Sequence, residues 1–318
     1  MSDKKKSYVI FICFFLIGST LFLTGCMSKK ESILVDDLER YYTIHVPESY
    51  DALTSVPLVL VFHGGGGNPD NIARTTKMNE KADTEGFIVV YPDGTGRFKN
   101  RIHTWNVGFC CGYALENNID DVLFIDTLVK HLKNQYTIDE NRIYATGMSN
   151  GGMMTYRVGA ELSNVFAAIA PVAAQIGGQA TEEEMLWRIP QPEYPVSVLA
   201  FNGMNDSRVP YDGGRPADND THVYSWLSTN ESIQFWVEHN HCDLIPSQNT
   251  TAEGNVIIDT YTNGINNTEV ALCTIVDGTH SWPGGQRGHK NGAEPTMDVN
   301  ATDMMWEFFK NHPKENYE

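Results

Sequence analysis

A serine set between small residues is the most direct sign of chemistry in this sequence. Residues 147–151 read Gly-Met-Ser-Asn-Gly and follow the apolar run 143–146. A strand that ends in a tight turn with serine at its tip, followed by a helix, exposes the serine hydroxyl at the edge of a sheet. Glycine is needed beside such a turn because strand and helix pass close together there. We therefore predict that Ser149 is a nucleophile; the alternative is a glycine-rich turn without catalytic function.

A serine nucleophile needs a base, and the base needs a carboxylate that orients it. When the nucleophile lies on a strand–turn–helix elbow, the acid and then the histidine follow it along the chain. Asp206 comes just after the predicted strand 195–201, and His280 comes just after the predicted strand 269–276. The sequence thus predicts a triad of Ser149, His280 and Asp206.

The segment after an earlier apolar strand has the composition of an oxyanion-binding loop. The apolar run 57–62 is followed by His63 and then by four glycines, residues 64–67. Such a loop donates one backbone N–H to the oxyanion, and the amide after the nucleophile donates the other. We predict Gly65 and Asn150 as these donors. A phosphate-binding turn is the alternative, but no Lys-Ser/Thr pair follows the glycines.

Six segments together resemble the exported esterases grouped with polyhydroxybutyrate depolymerases and feruloyl or acetylxylan esterases. This carbohydrate esterase family 1-like group is a branch of the α/β-hydrolase superfamily. The resemblance implies Ser149 as nucleophile, His280 as base, Asp206 as its orienting acid, and no metal or organic cofactor. Asn150 departs from the pattern, since relatives often carry alanine there, and its side chain could alter the pocket. The segments that carry the resemblance are residues 62–68, 104–112, 120–125, 147–152, 202–211 and 278–285.

Apolar patterning predicts alternating strands and helices, hence an α/β fold with a mostly parallel central sheet and helices on both faces. We expect a single α/β-hydrolase domain over residues 41–318, with its ligand at the carboxyl ends of the strands. The polar segments 175–194 and 212–226 are predicted to be irregular and to border the pocket. Expected strands are 41–46, 57–62, 87–91, 143–146, 165–172, 196–201 and 269–276, and expected helices are 71–85, 122–136, 153–162, 232–238 and 301–311.

Two tryptophans and an acidic pair complete the candidate residues. Trp282 and Trp105 are aromatic candidates for contact with a sugar or a phenolic acyl group, with packing in the core as the alternative for Trp105. Asp120 and Asp121 precede the helix 122–136, where the helix dipole favours negative charge. We expect a structural function for this pair rather than a second acid/base site.

The N-terminus has the character of an export signal. Three lysines at 4–6 precede the apolar run 8–23, and residues 23–26 read Leu-Thr-Gly-Cys, which resembles a bacterial lipoprotein processing box. We predict that residues 1–25 are a signal peptide, that lipidated Cys26 anchors the chain to a membrane, and that residues 26–40 are a tether. An uncleaved anchor and an ordinary secretory peptide are the alternatives, and each places the folded part outside the cytoplasm.

Four cysteines remain beyond the export segment: Cys110, Cys111, Cys242 and Cys273. An even number in an exported chain indicates disulfides, and four cysteines allow three pairings. The resemblance favours Cys242 with Cys273, and Cys273 lies on the strand that leads to His280. Cys110 and Cys111 would then be free or joined to each other.

The net charge of −17, with a pI near 4.9, restricts the partners of this chain. Without a basic stripe, nucleic-acid binding is disfavoured, and a strongly anionic polymer is a poor substrate. His239, His241 and Cys242 could form a metal site, but no second ligand pair at zinc spacing accompanies them. We predict no metal.

The sequence therefore predicts an exported serine carboxylic ester hydrolase that acts on polymer-linked esters. Candidate esters are feruloyl or acetyl groups of plant polysaccharide and hydroxyalkanoate esters. A serine peptidase of the same fold is one alternative. From a different class, a non-catalytic surface-binding lipoprotein is the other. The oligomeric state is not predicted.

Overall fold

The computed structural model describes residues 28–97, 101–181, 183–216 and 224–315. The strands of this part of the chain are β1 Lys29–Val35, β2 Leu38–His45, β3 Val56–Phe62, β4 Ile88–Pro92, β5 Thr95–Gly96, β6 Arg101–Thr104, β7 Ile138–Met148, β8 Ala168–Val172, β9 Gly177–Gln179, β10 Trp187–Arg188, β11 Ser197–Gly203, β12 Ser225–Trp226, β13 Ser247–Thr251, β14 Val256–Tyr261 and β15 Val270–Ile275. The α-helices are Pro69–Thr76, Met78–Glu85, Gly112–Glu116, Asp121–Gln135, Asn150–Glu161, Thr229–His239 and Ala301–Asn311, and short 3-10 helices are Ala252–Gly254 and Ile265–Asn267.

Ten strands form one sheet in the order β1-β2-β4-β3-β7-β8-β11-β15-β14-β13. The six strands from β4 to β15 in this order pair in parallel, and antiparallel pairs close both edges. The predicted mostly parallel sheet of an α/β-hydrolase is thus confirmed. The antiparallel edge strands β13 and β14 were not predicted. β13 is polar and exposed throughout, and the apolar start of β14 is only three residues long.

Residues of β3 alternate between two hydrophobic cores, one on each face of the sheet. Leu58, Leu60 and Phe62 pack on one side, with apolar residues of the helices Asp121–Gln135, Asn150–Glu161 and Thr229–His239. Val59 and Val61 pack on the other, with residues of the N-terminal helices and of Ala301–Asn311. A strand buried on both faces needs apolar side chains at every position, which explains the unbroken run 56–62.

The prediction that residues 26–40 form a tether is wrong for most of these residues. Residues 29–35 form β1, which pairs with β2 through a turn at Asp36 and Asp37, both with positive φ. Ile33 and Val35 are buried against the core. The folded domain therefore begins at β1, ahead of the predicted boundary at residue 41.

Two further predictions need correction. The helix expected over 71–85 is two helices, because Lys77 between them adopts a left-handed conformation with φ 54°. The segments 175–194 and 212–226, expected to be irregular, contribute β9, β10 and β12 to a three-stranded sheet. Each of these strands has only two or three residues, too short for a recognisable alternation.

The export segment 1–25 and Cys26 lie outside the described residues. Within the described ranges, no helix is long and apolar enough to cross a membrane.

Candidate active site

Ser149 lies at the turn between β7 and the helix Asn150–Glu161. Its φ of 59° and ψ of −126° place the backbone in a strained region that functional residues occupy. The Ser149 amide donates to the carbonyl of Val172 on the neighbouring β8, 2.9 Å away. A Cβ on Gly151 would lie 2.3 Å from the carbonyl oxygen of Phe62, so this position requires glycine. The turn therefore contacts both strands next to β7. The Ser149 amide bonds β8, and Gly151 packs closely against the end of β3.

Asp206 and His280 meet beyond the ends of β11 and β15. Nδ1 of His280 is 2.7 Å from Oδ2 of Asp206. The other oxygen, Oδ1, accepts from the amides of Arg208 and Val209 at 2.8 and 2.9 Å. Both oxygens of this buried carboxylate are thus engaged, and its position relative to the imidazole is fixed. Because Nδ1 is taken, Nε2 is the ring nitrogen left for proton transfer.

Ser149 and His280 border the same cavity, of about 270 Å³, at the carboxyl ends of the parallel strands. Its walls come mainly from the glycine loop, the helix Pro69–Thr76 and the loop that follows His280. Described residues of the segments 175–194 and 212–226 do not line it, so for these residues the prediction that they border the pocket is wrong. The lining residues are Gly64, Gly65, Gly66, Gly67, Asn68, Asn71, Ile72, Thr75, Met148, Ser149, Arg208, His280, Ser281, Trp282, Gln286, Gly288, His289, Gly292 and Ala293.

The glycine loop does not use the amide of Gly65 in any hydrogen bond among the described residues. The carbonyl of Gly64 accepts from the Gly67 amide at 2.9 Å and bonds Nδ1 of His63 at 2.8 Å. In a trans peptide the next N–H, that of Gly65, points the opposite way. A Cβ on Gly65 would lie 3.7 Å from Cβ of Asn150, so the two residues are neighbours. The Asn150 amide, at the first turn of its helix, has no intrahelical carbonyl partner.

The Asn150 side chain binds the backbone of Trp105. Oδ1 accepts from the Trp105 amide at 2.8 Å, and Nδ2 donates to the Trp105 carbonyl at 3.0 Å. All of these groups are buried. The departure from alanine noted in the sequence thus fixes the elbow to the segment 104–112, rather than reshaping the pocket.

Neither tryptophan is free in the cavity. Trp105 is fully buried, its Nε1 donates to the carbonyl of His63 at 2.9 Å, and it does not line the cavity. Its predicted contact with substrate is therefore wrong, and the alternative of core packing holds. Trp282 lines the cavity, but it is buried and its Nε1 donates to Oγ1 of Thr302 at 3.0 Å.

A buried ion pair also holds the segment 104–112, to which the Asn150 side chain is bonded. Nη2 of Arg40 lies 2.6 Å from Oδ1 of Asp121, and the two side chains are 2% and 0% exposed. Oδ2 of Asp121 accepts from the amide of Asn106 at 2.8 Å. Burial raises the pKa of the Asp121 carboxyl, although Arg40 and the Asn106 amide lower it. Asp120, by contrast, caps the helix through the Leu123 amide, as the dipole argument predicted.

Sequence reasoning missed this ion pair. Asp121 precedes Phe124, Ile125 and Leu128 at helical spacing, and all four are buried on one face. A charged residue on an apolar helix face was the signal that could have indicated a buried partner.

His63, Asp93 and His103 form a second buried polar group beneath the glycine loop. Nε2 of His63 accepts from the Gly94 amide at 3.0 Å and lies 3.6 Å from Oδ1 of Asp93, which Nδ1 of His103 also contacts. Burial raises the pKa of Asp93, but the bonds from His103 and His63 outweigh it, and the pKa is lowered. Their donor atoms lie close enough to hold a metal ion. Both ring nitrogens of His63, however, already bond the main chain, so a metal would have to displace the Gly94 amide.

The cysteines pair differently from the prediction. Cys110 and Cys111 are joined to each other by a disulfide, across a cis peptide bond. Cys242 and Cys273 are buried thiols, and burial raises their pKa to about 11 and about 12. They belong to the two cores on opposite faces of the sheet. The predicted Cys242–Cys273 disulfide is wrong because the sheet lies between them.

Comparison with known proteins agrees with this architecture. Residues 40–184 match the profile of the family described as esterase PHB depolymerase. Feruloyl esterase B of Piromyces equi is 28% identical over 249 residues, which cover 78% of this chain and 44% of that protein. The putative esterase NocK of Nocardia uniformis subsp. tsuyamanensis is 27% identical over 275 residues, covering 81% and 75%. The chain thus spans under half the length of the first relative.

Solved structures share the fold. The acetyl xylan esterase from Aspergillus awamori superposes with a TM-score of 0.56 at 14% identity, covering 88% of this chain and 99% of that one. At this identity the likeness concerns the fold alone. Together with the sequence matches, it confirms the predicted resemblance to the esterases that group with PHB depolymerases and feruloyl and acetylxylan esterases.

Proposed function

We propose that this chain, a relative of the feruloyl esterase and PHB depolymerase type of esterase, is an exported serine carboxylic ester hydrolase with a triad of Ser149, His280 and Asp206. The observation that carries the proposal is the Asp206–His280 hydrogen bond of 2.7 Å at a cavity that also contains the strained Ser149. Nucleophile, base and orienting acid then occupy one site.

In the first step, Nε2 of His280 takes the proton of Ser149 while the serine oxygen attacks the ester carbonyl. Asp206 holds the imidazole through Nδ1 and stabilises the imidazolium that forms. The bond between the carbonyl carbon and the alcohol oxygen then breaks, and the imidazolium returns its proton to the departing alcohol. This leaves an acyl group on Ser149.

In the second step, water attacks the acyl carbon while His280 takes a proton from it. The bond between the acyl carbon and the Ser149 oxygen then breaks, the imidazolium returns the proton to Ser149, and the carboxylic acid leaves. The amides of Gly65 and Asn150 carry the negative charge of both tetrahedral intermediates. Preorganised donors of this kind are worth on the order of 3 kcal/mol each. Every group in this sequence of steps belongs to the protein, the substrate or water, so no cofactor takes part.

Polymer-linked esters are the proposed substrates: feruloyl or acetyl groups of plant polysaccharide, or hydroxyalkanoate esters. The names of the relatives support this range. Trp282 is the proposed aromatic contact for substrate because it lines the cavity two residues from the base.

Export through residues 1–25 with lipidation of Cys26 completes the proposal. The lysines at 4–6, the apolar run 8–23 and the Leu-Thr-Gly-Cys sequence at 23–26 support export. The test is metabolic labelling with a fatty acid and cell fractionation of the native chain and of Cys26→Ser. Label and membrane association should both be lost in the variant. Unchanged membrane association would instead indicate an uncleaved anchor.

The activity is tested by hydrolysis of methyl ferulate, p-nitrophenyl acetate and oligo-hydroxybutyrate by the native chain and by Ser149→Ala. We expect turnover by the native chain that falls at least about 1,000-fold in the variant. Ser207→Ala, at the exposed position directly after the acid, is the matched control. A folded protein that hydrolyses none of these esters would instead favour the peptidase or the binding lipoprotein.

A further inference from the structure

Arg208 borders the catalytic cavity without a carboxylate partner. It lines the same space as Ser149 and His280, and it is exposed. Among the interactions of the described residues, its guanidinium forms no hydrogen bond or ion pair, whereas its backbone amide is held by Asp206. The main chain of Arg208 is therefore fixed, and its charge is unpaired.

Asp206, only two residues away, is not available to neutralise this charge. Its Oδ1 already accepts two amides and its Oδ2 bonds His280. A guanidinium that turned to Asp206 would compete with the base for its orienting acid. The sequence thus places a cation beside the triad while the triad keeps its own carboxylate occupied.

Among the described residues, the rest of the cavity lining contains no Asp or Glu either, although the whole chain carries a net charge of −17. Side chains that can donate hydrogen bonds line it instead, including Asn68, Gln286 and His289. Among the described lining residues, Arg208 is therefore the one side chain that carries a permanent charge.

From this we propose that the cavity selects esters that carry a free carboxylate near the scissile bond, with Arg208 as the residue that binds it. The guanidinium fork matches a carboxylate in geometry, and a charge-assisted pair is among the stronger hydrogen bonds. Since one cavity of about 270 Å³ is bordered by both Arg208 and Ser149, one small substrate can reach both. This inference rests on the proposed ester hydrolysis.

Two kinds of ester share this chemistry. One is the acid end of a hydroxyalkanoate oligomer, and the other is an acylated sugar acid. A single carboxylate beside the ester differs from a strongly anionic polymer, which the net charge of the chain would repel.

The experiment compares matched substrates with and without the charge. The first pair is the linear dimer of 3-hydroxybutyrate and its methyl ester, and the second is acetylated glucuronic acid and acetylated glucose. The readout is the ratio of kcat/KM within each pair. We expect the native chain to prefer the charged member about tenfold in at least one pair, which identifies the source of the carboxylate.

In Arg208→Gln this ratio should fall to about one or below, and Arg208→Lys should retain an intermediate ratio because it keeps a point charge. The control is Arg142→Gln, which removes the same charge within β7 from a residue that does not line the cavity. Its ratio should equal that of the native chain. Raising the salt concentration should lower the native preference.

A native ratio near one in both pairs, or a ratio unchanged in Arg208→Gln, would overturn the inference while leaving the esterase proposal intact. Failure of the esterase proposal is recognised separately, by full activity of Ser149→Ala or by no hydrolysis of p-nitrophenyl acetate.

Discussion

The two sides of the cavity are held in different ways. Beneath the elbow and the glycine loop lies a set of buried, mutually bonded side chains, which we call the floor: Arg40, His63, Asp93, His103, Trp105, Asp121 and Asn150. On the other side, residues 286–293 form the rim, most of whose residues are exposed. The rim is attached to the helix Pro69–Thr76 by the bond from the Gln286 amide to the Thr75 carbonyl and by the Asn71–Gly288 contact.

The difference between floor and rim corresponds to two requirements of a hydrolase: alignment of the oxyanion donors and selection among substrates. Oxyanion donors must be aligned before the reaction, and buried bonds that leave no alternative partner provide this alignment. Selection among substrates needs a surface that can change without loss of the fold, and exposed loops tolerate such change. The predictions below follow this contrast from the largest expected effect to the smallest.

The largest effect is expected at Asp206, whose carboxylate binds His280. His280 lies shortly before the rim along the chain. In Asp206→Asn the carboxamide keeps an acceptor for the backbone amides but no longer stabilises the imidazolium. We expect kcat to fall by about 10,000-fold, measured with p-nitrophenyl acetate. The free energy of unfolding serves as the control, and a fall of kcat below tenfold would show that another acid orients His280.

In the floor, Asn150→Ala should reduce both stability and activity. It leaves the buried N–H of Trp105 without its partner and removes one of the two donors to the Trp105 C=O, the other being the Cys111 amide. We expect a loss of about 2 kcal/mol in the free energy of unfolding. The kcat should fall about tenfold, less than the roughly 100-fold loss that follows removal of an oxyanion donor itself. Urea denaturation and esterase kinetics measure the two effects.

Asn311→Ala is the matched control for this change. Asn311 is exposed at the end of the last helix, where its side chain donates only to the Glu307 carbonyl. Its unfolding free energy should change by less than about 0.5 kcal/mol. Equal effects of the two substitutions would remove the distinction between floor and surface.

His103→Gln should change the dependence of stability on pH. In the native chain the pKa of Asp93 is lowered by His103 and His63, so its carboxylate stabilises the fold above the unfolded pKa of about 3.9. That contribution is lost as the pH falls through the lower, folded value. Without His103 the folded pKa rises, so the unfolding free energy should depend less steeply on pH below about pH 4.

Urea denaturation from pH 3 to 7 measures this slope. His45→Gln is a suitable control, because His45 contacts the half-exposed Asp83, away from the glycine loop. If His103→Gln and the native chain have the same slope, Asp93 does not contribute to the floor as a charged group.

The smallest effect is expected in the rim. His289→Ala should change the free energy of unfolding by less than about 0.5 kcal/mol, since the side chain is exposed. The KM for esters larger than acetate should change severalfold, because His289 lines the cavity. Loss of stability comparable to that of Asn150→Ala would mean that the rim supports the fold as well.

The sequence predicted the parts of this site that depend on local pattern. Ser149, Asp206 and His280 each follow a recognisable apolar strand, and parallel strands bring their carboxyl ends to one edge. The mostly parallel sheet followed from the same alternation. These features need only a few neighbouring residues to be recognised.

The parts that it missed depend on which distant residues meet. Arg40 and Asp121 are 81 positions apart, and no pattern along the sequence links the two residues. The error over Cys242 and Cys273 has the same origin, because the face on which a strand residue lies depends on register. Leu272 and Cys273 are consecutive on β15 yet pack in different cores.

The position of β1 limits the distance between the folded domain and a lipid attached to Cys26. Only residues 27 and 28 separate Cys26 from Lys29, the first residue of the sheet. Fully extended, that connection spans about 11 Å. With the proposed lipid at Cys26, the edge of the sheet would be confined to the headgroup layer of the membrane. Such an enzyme would act only on polymer that is brought to the cell, and its substrate would have to be delivered or already attached to the envelope.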